Sequence, residues 1–379
     1  MSEIVRVEVG RYDYDFVGYF KFFKADPDGK TRRPTVLIRL TDADGVQGWG
    51  QAVPVPSWTY ETVESVETTL RLYLAEALLG ADPADMADVH ARMEYVIRPA
   101  FTVGQPLAKA AVDFACYDLV GKQRGQRVVD LLGGAQRASL TLNWTVNTVD
   151  LDDAQRQLAE GWERGYRHYT IKIGPPQTPA YDLELVRMVK DFAPDSFIWA
   201  DANTGYDLET ALEVAPRLAD RGLQALESPL PPNRIRAYQA LKRQGALPIY
   251  MDEGILSPVE VEEFSALGMI HGVTMKPARC AGIWPATQII SLLRERGLLI
   301  LGSGLTDPDL SLAAALHVYA WAGMERPCAL NGPQFLDGTL AENDWLPDQG
   351  IARLPDGPGL GLDVGPRAEA VLSPAAALS

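Results

Sequence analysis

Five ionisable residues recur along the chain at nearly constant intervals: Lys172, Asp201, Glu227, Asp252 and Lys276, separated by 29, 26, 25 and 24 residues. Each closes a short apolar run, in HYTIK, FIWAD, LQALE, PIYMD and GVTMK. One lysine in such a place is ordinarily a strand-end cation whose stem lies on apolar surface while its head reaches water. One acid there is ordinarily a surface cap or a helix N-cap. Three acids delivered in register by three neighbouring strands are another matter, because in a low-dielectric cleft they repel each other strongly. A hard divalent cation among them relieves the repulsion, and three carboxylates with water suit Mg²⁺. Lys172 and Lys276 would then flank the metal cluster and face each other across it.

Each interval is about one strand plus one helix, so the positioning elements must alternate. From about residue 138 they do: SLTLNWTV, HYTIKI, FIWADAN, LQALESP, PIYMDEG, GVTMK, LLILGSG and CALNGP are short apolar runs, most of them separated by helix-like stretches such as DLETALEVAPRLADRG. Eight strands with helices between the first seven predict a TIM-type (β/α)₇β barrel, in which strand C-terminal ends converge on one mouth. The first third mixes types. EIVRVEV and PTVLIRLTDADGVQGWGQ read as strands with a turn at Asp42–Gly45, and helical patterns cover about 60–80 and 104–124. In the second helix Leu107, Ala111, Phe114, Ala115 and Leu119 recur at helical spacing. The expected organisation is an α+β capping domain over 1–137, the barrel over 138–335, and a loop-rich segment, 336–379, that returns to the capping domain.

Composition excludes other classes. At 379 residues the chain is too long for one small core. A formal charge of −15 with no basic stripe argues against nucleic acid as a partner. No apolar run approaches the ~18 residues of a membrane span, and MSEIVRVEVGRYDYDF lacks the basic and apolar regions of a secretory signal. Cys116, Cys280 and Cys328 are scattered, without zinc-site or disulfide spacing, which fits a reducing cytoplasm.

The motifs, taken in order, resemble the enolase superfamily, in its mandelate racemase and muconate lactonizing enzyme branch. The likeness runs through AKAAVDFACYDLVGK followed by VVDLLGG, then IKIG, DAN at 201–203, ESPLPP at 227–232, MDEG at 251–254, MKPARCAG at 275–282 and PDGPGLGLDV near the end. It implies Mg²⁺ on Asp201, Glu227 and Asp252, and a reaction that opens by removing a proton α to a carboxylate, with the metal stabilising the enediolate. It implies Lys172 and Lys276 as catalytic bases, with Asn203 and Glu253 supporting the metal ligands. An ordinary lysine titrates near about 10.4, and Mg²⁺ with the facing lysine would lower it toward roughly 7–8. A small-molecule carboxylate as substrate and a homo-oligomer are the partners expected.

Departures narrow the chemistry. Where the family often has Lys-x-Lys on the second strand, the first position here is Thr170. LLILGSGLTD carries no histidine, so the family's His-Asp dyad is absent. LNWTV is similar to the muconate lactonizing enzymes, but CALNGP puts Ala329 and Asn331 where lactonizing enzymes or dipeptide epimerases carry acids. The reading is therefore racemisation or epimerisation of a small carboxylic acid by two opposed lysines. Cycloisomerisation, dehydration (for example of a hydroxylated cyclic imino acid or a hydroxy acid) and a non-catalytic barrel are the alternatives. Thr170, Tyr19, Trp58, Trp144, Ser303, Asp307 and Asn331 are candidate substrate contacts. Gly302-Ser303-Gly304 reads either as an anion-holding turn or as a plain strand end. The aromatic run Tyr12, Tyr14, Phe16, Tyr19, Phe20, Phe22 and Phe23 reads either as a lid lining or as capping-sheet core. His90, His168, His271 and His317 read as structural, and Lys109 and Lys122 as solvated helix faces.

Overall fold

The apolar runs of the second part pair side by side in chain order. In the computed structural model, which describes residues 2–378, Asn143–Val146, His168–Lys172, Ile198–Asp201, Ala225–Glu227, Ile249–Met251, Gly272–Met275 and Leu299–Gly302 form one parallel sheet. Each strand is followed by a helix. Leu208–Asp220 is typical: Asp207 caps it by accepting from the Thr210 N–H at 2.8 Å, and Ala211, Val214, Ala215 and Leu218 form the buried stripe. The ring closes through single bridges, Leu142 to Cys328 and Ser303 to Ala329. The eighth position is thus shorter than the strand expected from CALNGP. Pro327 lacks a donor there, and the chain turns helical again at Gly332–Phe335. SLTLNWTV is also divided. Ser139–Thr141 pairs with Ile351–Arg353 of the tail, and Asn143–Val146 alone joins the barrel.

Strand alternation then decides what faces inward. Phe197, Trp199, Ala225, Tyr250, Leu301 and Ala329 make a buried cluster of their own, separate from the core between strands and helices. That cluster plugs the barrel and forms the floor on which the charged residues stand.

Ile4–Phe16, Arg32–Asp42 and Gln47–Ala52 form an antiparallel meander, and Leu336–Asp337 and Ser373–Ala377 from the tail pair with its first strand. The helix Pro106–Arg124 lies flat on this sheet because Gly48 and Gly50 leave it room. A Cβ on Gly48 would sit 2.2 Å from the Ala115 carbonyl oxygen, and one on Gly50 1.9 Å from that of Ala111. The helical pattern at 60–80 is broken into Val63–Thr69 and Ala75–Leu78 by a wide turn at Leu70–Leu74. The solvated reading of the two helix lysines is corrected here. Lys109 is buried, its Nζ donating to the Ile97 and Val103 carbonyls, and Lys122 is half-buried against Asp118 at 2.7 Å.

Two buried polar joints fix cap to barrel. The Arg33 guanidinium donates to the carbonyls of Val53 (2.7 Å) and Pro54 (2.9 Å) in the cap and of Leu305 (3.0 Å) in the barrel loop. Asp113 accepts from His90 Nε2 at 2.9 Å and from the Ile283 N–H at 2.6 Å. Gly282 is essential to the second joint, since a Cβ there would lie 2.2 Å from the Asp113 Cγ and its φ is 123°. Among the described residues, no helix is long and apolar enough to cross a membrane.

His317, on the helix Asp309–Trp321, is fully buried, with Nδ1 accepting from the Val129 N–H at 3.3 Å and Nε2 facing the Leu360 carbonyl at 3.2 Å. Burial pulls its pKa down to about 4. The folded value lies below the unfolded one, so the stability it contributes is complete above pH ~6.5 and is lost as pH falls toward 4. The expected loss from this residue is about 3 kcal/mol. Urea denaturation at pH 7 and pH 4 should show His317→Asn losing correspondingly less stability than the wild type on acidification.

Candidate active site

The register of the sheet sets the charged residues level with one another. Lys172 lies opposite Asp201, and Asp201 opposite Glu227, at the C-terminal ends of the second, third and fourth strands. Asp252 and Lys276 directly follow the fifth and sixth. All five are buried. Lys172 Nζ lies 2.5 Å from Asp201 Oδ2, and Lys276 Nζ lies 2.5 Å from Asp252 Oδ2. Trp199, the top of the barrel plug, donates its indole N–H to Glu227 Oε2 at 2.5 Å. Asn203 ties two acids together, its Nδ2 donating to Asp201 Oδ2 (2.8 Å) and to Glu253 Oε1 (3.1 Å). The loops just beyond the strand ends adopt left-handed backbone at non-glycine positions, Asn203 (φ 43°), Ser228 (φ 40°), Ala281 (φ 64°) and Thr306 (φ 56°). Such conformations cost free energy and gather at functional sites.

The charges are strongly coupled. Burial alone would raise the Asp201 carboxyl, but Lys172, Lys21 and Lys276 outweigh it and hold the group below its ordinary value. Glu227 is held well above the carboxylate range, first by burial and then by the Asp201 charge. Lys172 responds to the same acids. Burial favours its neutral form, yet Asp201 and Glu227 together outweigh burial and raise it.

Whether these acids suit a metal follows from their oxygens. Among the described residues no group of three acids is drawn up as a finished metal cage; Lys172 lies against Asp201 and Lys276 against Asp252. The donor set nevertheless fits a hard cation. It is all oxygen and all buried, and Glu227 Oε1, Asp252 Oδ1 and Glu253 Oε2 accept no hydrogen bond. With the lysines turned aside, Asp201, Glu227 and Asp252 could hold a hard divalent ion.

The other candidates separate into two groups. Trp58 belongs to the mouth: its ring centroid is 4.6 Å from Lys276 Nζ and 5.8 Å from Lys172 Nζ. Phe22 stacks on it at 4.8 Å, and Phe20 lies 5.5 Å from Lys172 Nζ. Thr170 points into the barrel one layer beneath Lys172, its hydroxyl accepting from Asn143 Nδ2 at 3.0 Å. Asn331 donates to Thr145 Oγ1 at 3.3 Å on the far rim and keeps its Oδ1 unpartnered. Tyr19 and Trp144 lie outside the mouth. Together with Phe335 they line a groove of 530 Å³ against the helix Leu151–Glu163, since Trp144 falls on the outward phase of its strand. Tyr14 is turned to Asp309, at 2.5 Å, and packs between cap and barrel. Ser303 gives its N–H to the Met275 carbonyl, so Gly302-Ser303-Gly304 ends a strand in the ordinary way. Asp307 spends its oxygens on the Leu305 N–H and the Ser311 hydroxyl.

Two cations escaped the sequence reading. Arg279 is buried with Nε 3.1 Å from Asp252 Oδ1, too poorly aligned for a hydrogen bond, and its Nη2 is unpartnered. Its place, one helical turn after Lys276 in MKPARCAG, is the signal that could have found it. Lys21 is half-buried in the loop that carries Phe20 and Phe22, and the aromatic run masked it.

Solved structures share this architecture. The muconate lactonizing enzyme of Klebsiella pneumoniae superimposes with a TM-score of 0.87 over 97% of this chain and 99% of its own, at 24% identity. The N-succinyl Arg/Lys racemase of Bacillus cereus does so with a TM-score of 0.88 over 98% of both chains, at 23% identity. This is the barrel-and-cap fold of the enolase superfamily. Within it the chain belongs to the mandelate racemase / muconate lactonizing enzyme family, whose N-terminal domain matches residues 28–133 and whose enolase C-terminal domain-like region matches residues 153–368. The chloromuconate cycloisomerase of Cupriavidus necator is 30% identical over 336 residues, covering 87% of this chain and 88% of the relative. The o-succinylbenzoate synthase of Bacillus subtilis is 26% identical, over 91% and 90% respectively. The relatives are enzymes, and so is this protein.

The buried pairing of Lys172 with Asp201 makes a stability prediction. Lys172→Met strands a buried carboxylate and should cost about 3 kcal/mol, whereas Lys172→Met with Asp201→Asn should recover most of that loss. A double-mutant cycle by urea denaturation measures both.

Proposed function

We propose that the protein removes the proton α to the carboxylate of a small carboxylic acid, and that it racemises or epimerises that acid with Lys172 and Lys276 as opposed bases. The observation that carries this reading is the pair of buried lysines at the ends of the second and sixth strands, each against an acid of the same rim. Four strands apart in an eight-membered ring, they approach a bound α-carbon from opposite faces. Asp201, Glu227 and Asp252 are the proposed Mg²⁺ ligands, with Asn203 and Glu253 orienting them. Bound Mg²⁺ supplies Lewis-acid charge to the substrate carboxylate, which makes the α-proton more acidic. Before either lysine can act it must leave its carboxylate partner and be neutral on the face from which the proton departs. The other must be protonated to return a proton to the opposite face. Trp58, Phe20 and Phe22 close the mouth above both lysines and keep water from the reacting carbon.

A second reading, cycloisomerisation, is favoured by the 30% identity to a chloromuconate cycloisomerase over most of both chains. In that reaction one lysine delivers or removes the proton and the other serves as an electrostatic partner.

The metal assignment predicts that Asp252→Asn abolishes Mg²⁺-dependent activity and weakens Mg²⁺ binding by calorimetry, while circular dichroism remains that of the wild type. Full activity in that variant, or in chelated wild type, would overturn it.

The two-base geometry predicts opposite stereochemical defects. In D₂O, with NMR detection over N-acyl amino acids, cyclic imino acids, betaines and hydroxy acids, Lys276→Ala should exchange the α-proton of one enantiomer only and Lys172→Ala that of the other. Neither should interconvert the pair. Equal exchange of both enantiomers by either variant would point to one-base chemistry and the second reading.

A further inference from the structure

Of the three acids proposed for the metal, Glu227 is held differently from its neighbours. Asp201 Oδ2 is covered by Lys172 and Asp252 Oδ2 by Lys276. Both partners are long side chains whose heads can swing away. The partner of Glu227 cannot. Trp199 is fully buried and packs with Phe197, Ala225, Tyr250, Leu301 and Ala329 in the plug of the barrel. Its indole N–H, a donor with no acceptor function, reaches Glu227 Oε2 at 2.5 Å. The register of the sheet makes that reach possible. Trp199 lies opposite Ala225 of the fourth strand, one layer below the Asp201–Glu227 pair. The small Ala225 side chain leaves room beneath Glu227, and the indole crosses from the third strand to use it. The two oxygens of Glu227 are consequently unlike. Oε2 is spent on the plug, while Oε1 is buried and accepts no hydrogen bond. A buried carboxylate oxygen without a donor is costly, and a bound cation would satisfy it.

We propose that Trp199 is a positioning residue that makes Glu227 a one-oxygen ligand, through Oε1, and thereby biases the rim toward the small ion Mg²⁺ over a larger one such as Ca²⁺. The inference rests on the assignment of Asp201, Glu227 and Asp252 as the metal ligands. Mg²⁺ demands near-ideal octahedral geometry and keeps several waters, whereas Ca²⁺ takes more oxygens and accepts a carboxylate through both of its own. A glutamate free to offer both oxygens serves Ca²⁺ well. One whose second oxygen is held by a rigid indole serves Mg²⁺ better. The plug makes the restraint strict, because a close-packed interior resists the shift that would let the indole follow the carboxylate. Trp199 acts through Glu227 alone.

Trp199→Phe and Trp199→Met keep the plug apolar and remove the donor. Mg²⁺ and Ca²⁺ are titrated by calorimetry into the wild type and each variant, with circular dichroism as the check on folding. The ratio of Mg²⁺ to Ca²⁺ affinity should fall about tenfold or more in both variants, as losing the hydrogen bond that supports a metal ligand implies. A merely loosened plug would weaken both ions alike, so an unchanged ratio overturns the proposal. If neither variant folds, infrared difference spectroscopy of the wild type with isotope-labelled glutamate carboxyls decides. The band that Mg²⁺ shifts, assigned by its loss in Glu227→Gln, should show the wide splitting of a carboxylate bound through one oxygen. The narrow splitting of binding through both would sink the idea. The ligand assignment is tested apart from this. Undiminished Mg²⁺ binding in Asp252→Asn removes that assignment and the role of Trp199 together. Binding lost in Asp252→Asn, with an unchanged ion ratio in the Trp199 variants, removes the role of Trp199 alone.

Discussion

The arrangement depends on one electrostatic constraint: four carboxylates, those of Asp201, Glu227, Asp252 and Glu253, are gathered at one end of a barrel with almost no access to water. In such surroundings an unpaired carboxylate is very costly, and a group of them is untenable without positive charge. Lys172 and Lys276 supply that charge from neighbouring strand ends, and Arg279 from the loop after the sixth strand. The barrel geometry supplies the rest, because a parallel sheet in register delivers each side chain to the same height. The aromatic plug of Phe197, Trp199 and Tyr250 raises the charged layer to the rim and keeps it from sinking into the interior. Glu227 is held above the carboxylate range first by burial and then by the Asp201 charge, and a hard cation set among these acids would relieve both.

The capping domain is as much a part of the site as the barrel. The segments that leave its sheet bring Trp58, Phe20 and Phe22 over the mouth, and its attachment is polar and buried at both sides of the opening. Arg33 reaches the loop after the seventh strand, while Asp113 reaches the start of the helix after the sixth. The loop that begins with Lys276 is thereby held at both ends, by its strand and by the cap. The position of one lysine is accordingly set partly by residues far from it in sequence.

Much of this was legible in the chain. The even spacing of Lys172, Asp201, Glu227, Asp252 and Lys276 was enough to predict the barrel and to place those residues on one rim, since a strand-plus-helix repeat has a nearly fixed length. The length of a segment did not reveal which way its side chains point. Trp144 and Thr145 are neighbours, and alternation alone puts the first against the helix layer and the second inside. Asp307 and Ser303 stand at the right place along the chain, but local hydrogen bonds consume their polar groups. Lys109 was unreadable for a similar reason. Its helix is buried on nearly every face, and two carbonyls at Ile97 and Val103, invisible to helical periodicity, receive its ammonium. Arg279 and Lys21 were missed because each acts through a loop, where sequence spacing carries no geometric rule.

The first strand of the chain has a consequence for how the protein is made. Ile4–Phe16 is flanked by Arg32–Asp42 on one edge and by Leu336–Asp337 and Ser373–Ala377 on the other. A strand made early in synthesis therefore waits for segments made long after it before its sheet is complete. Throughout most of synthesis one edge of that strand is unpaired, while the barrel between can already assemble from neighbouring units. Contacts of such long sequence separation form slowly, and an open strand edge invites association with other chains. By contact separation the barrel is expected to fold first, with the cap sheet completed once its tail strands are available.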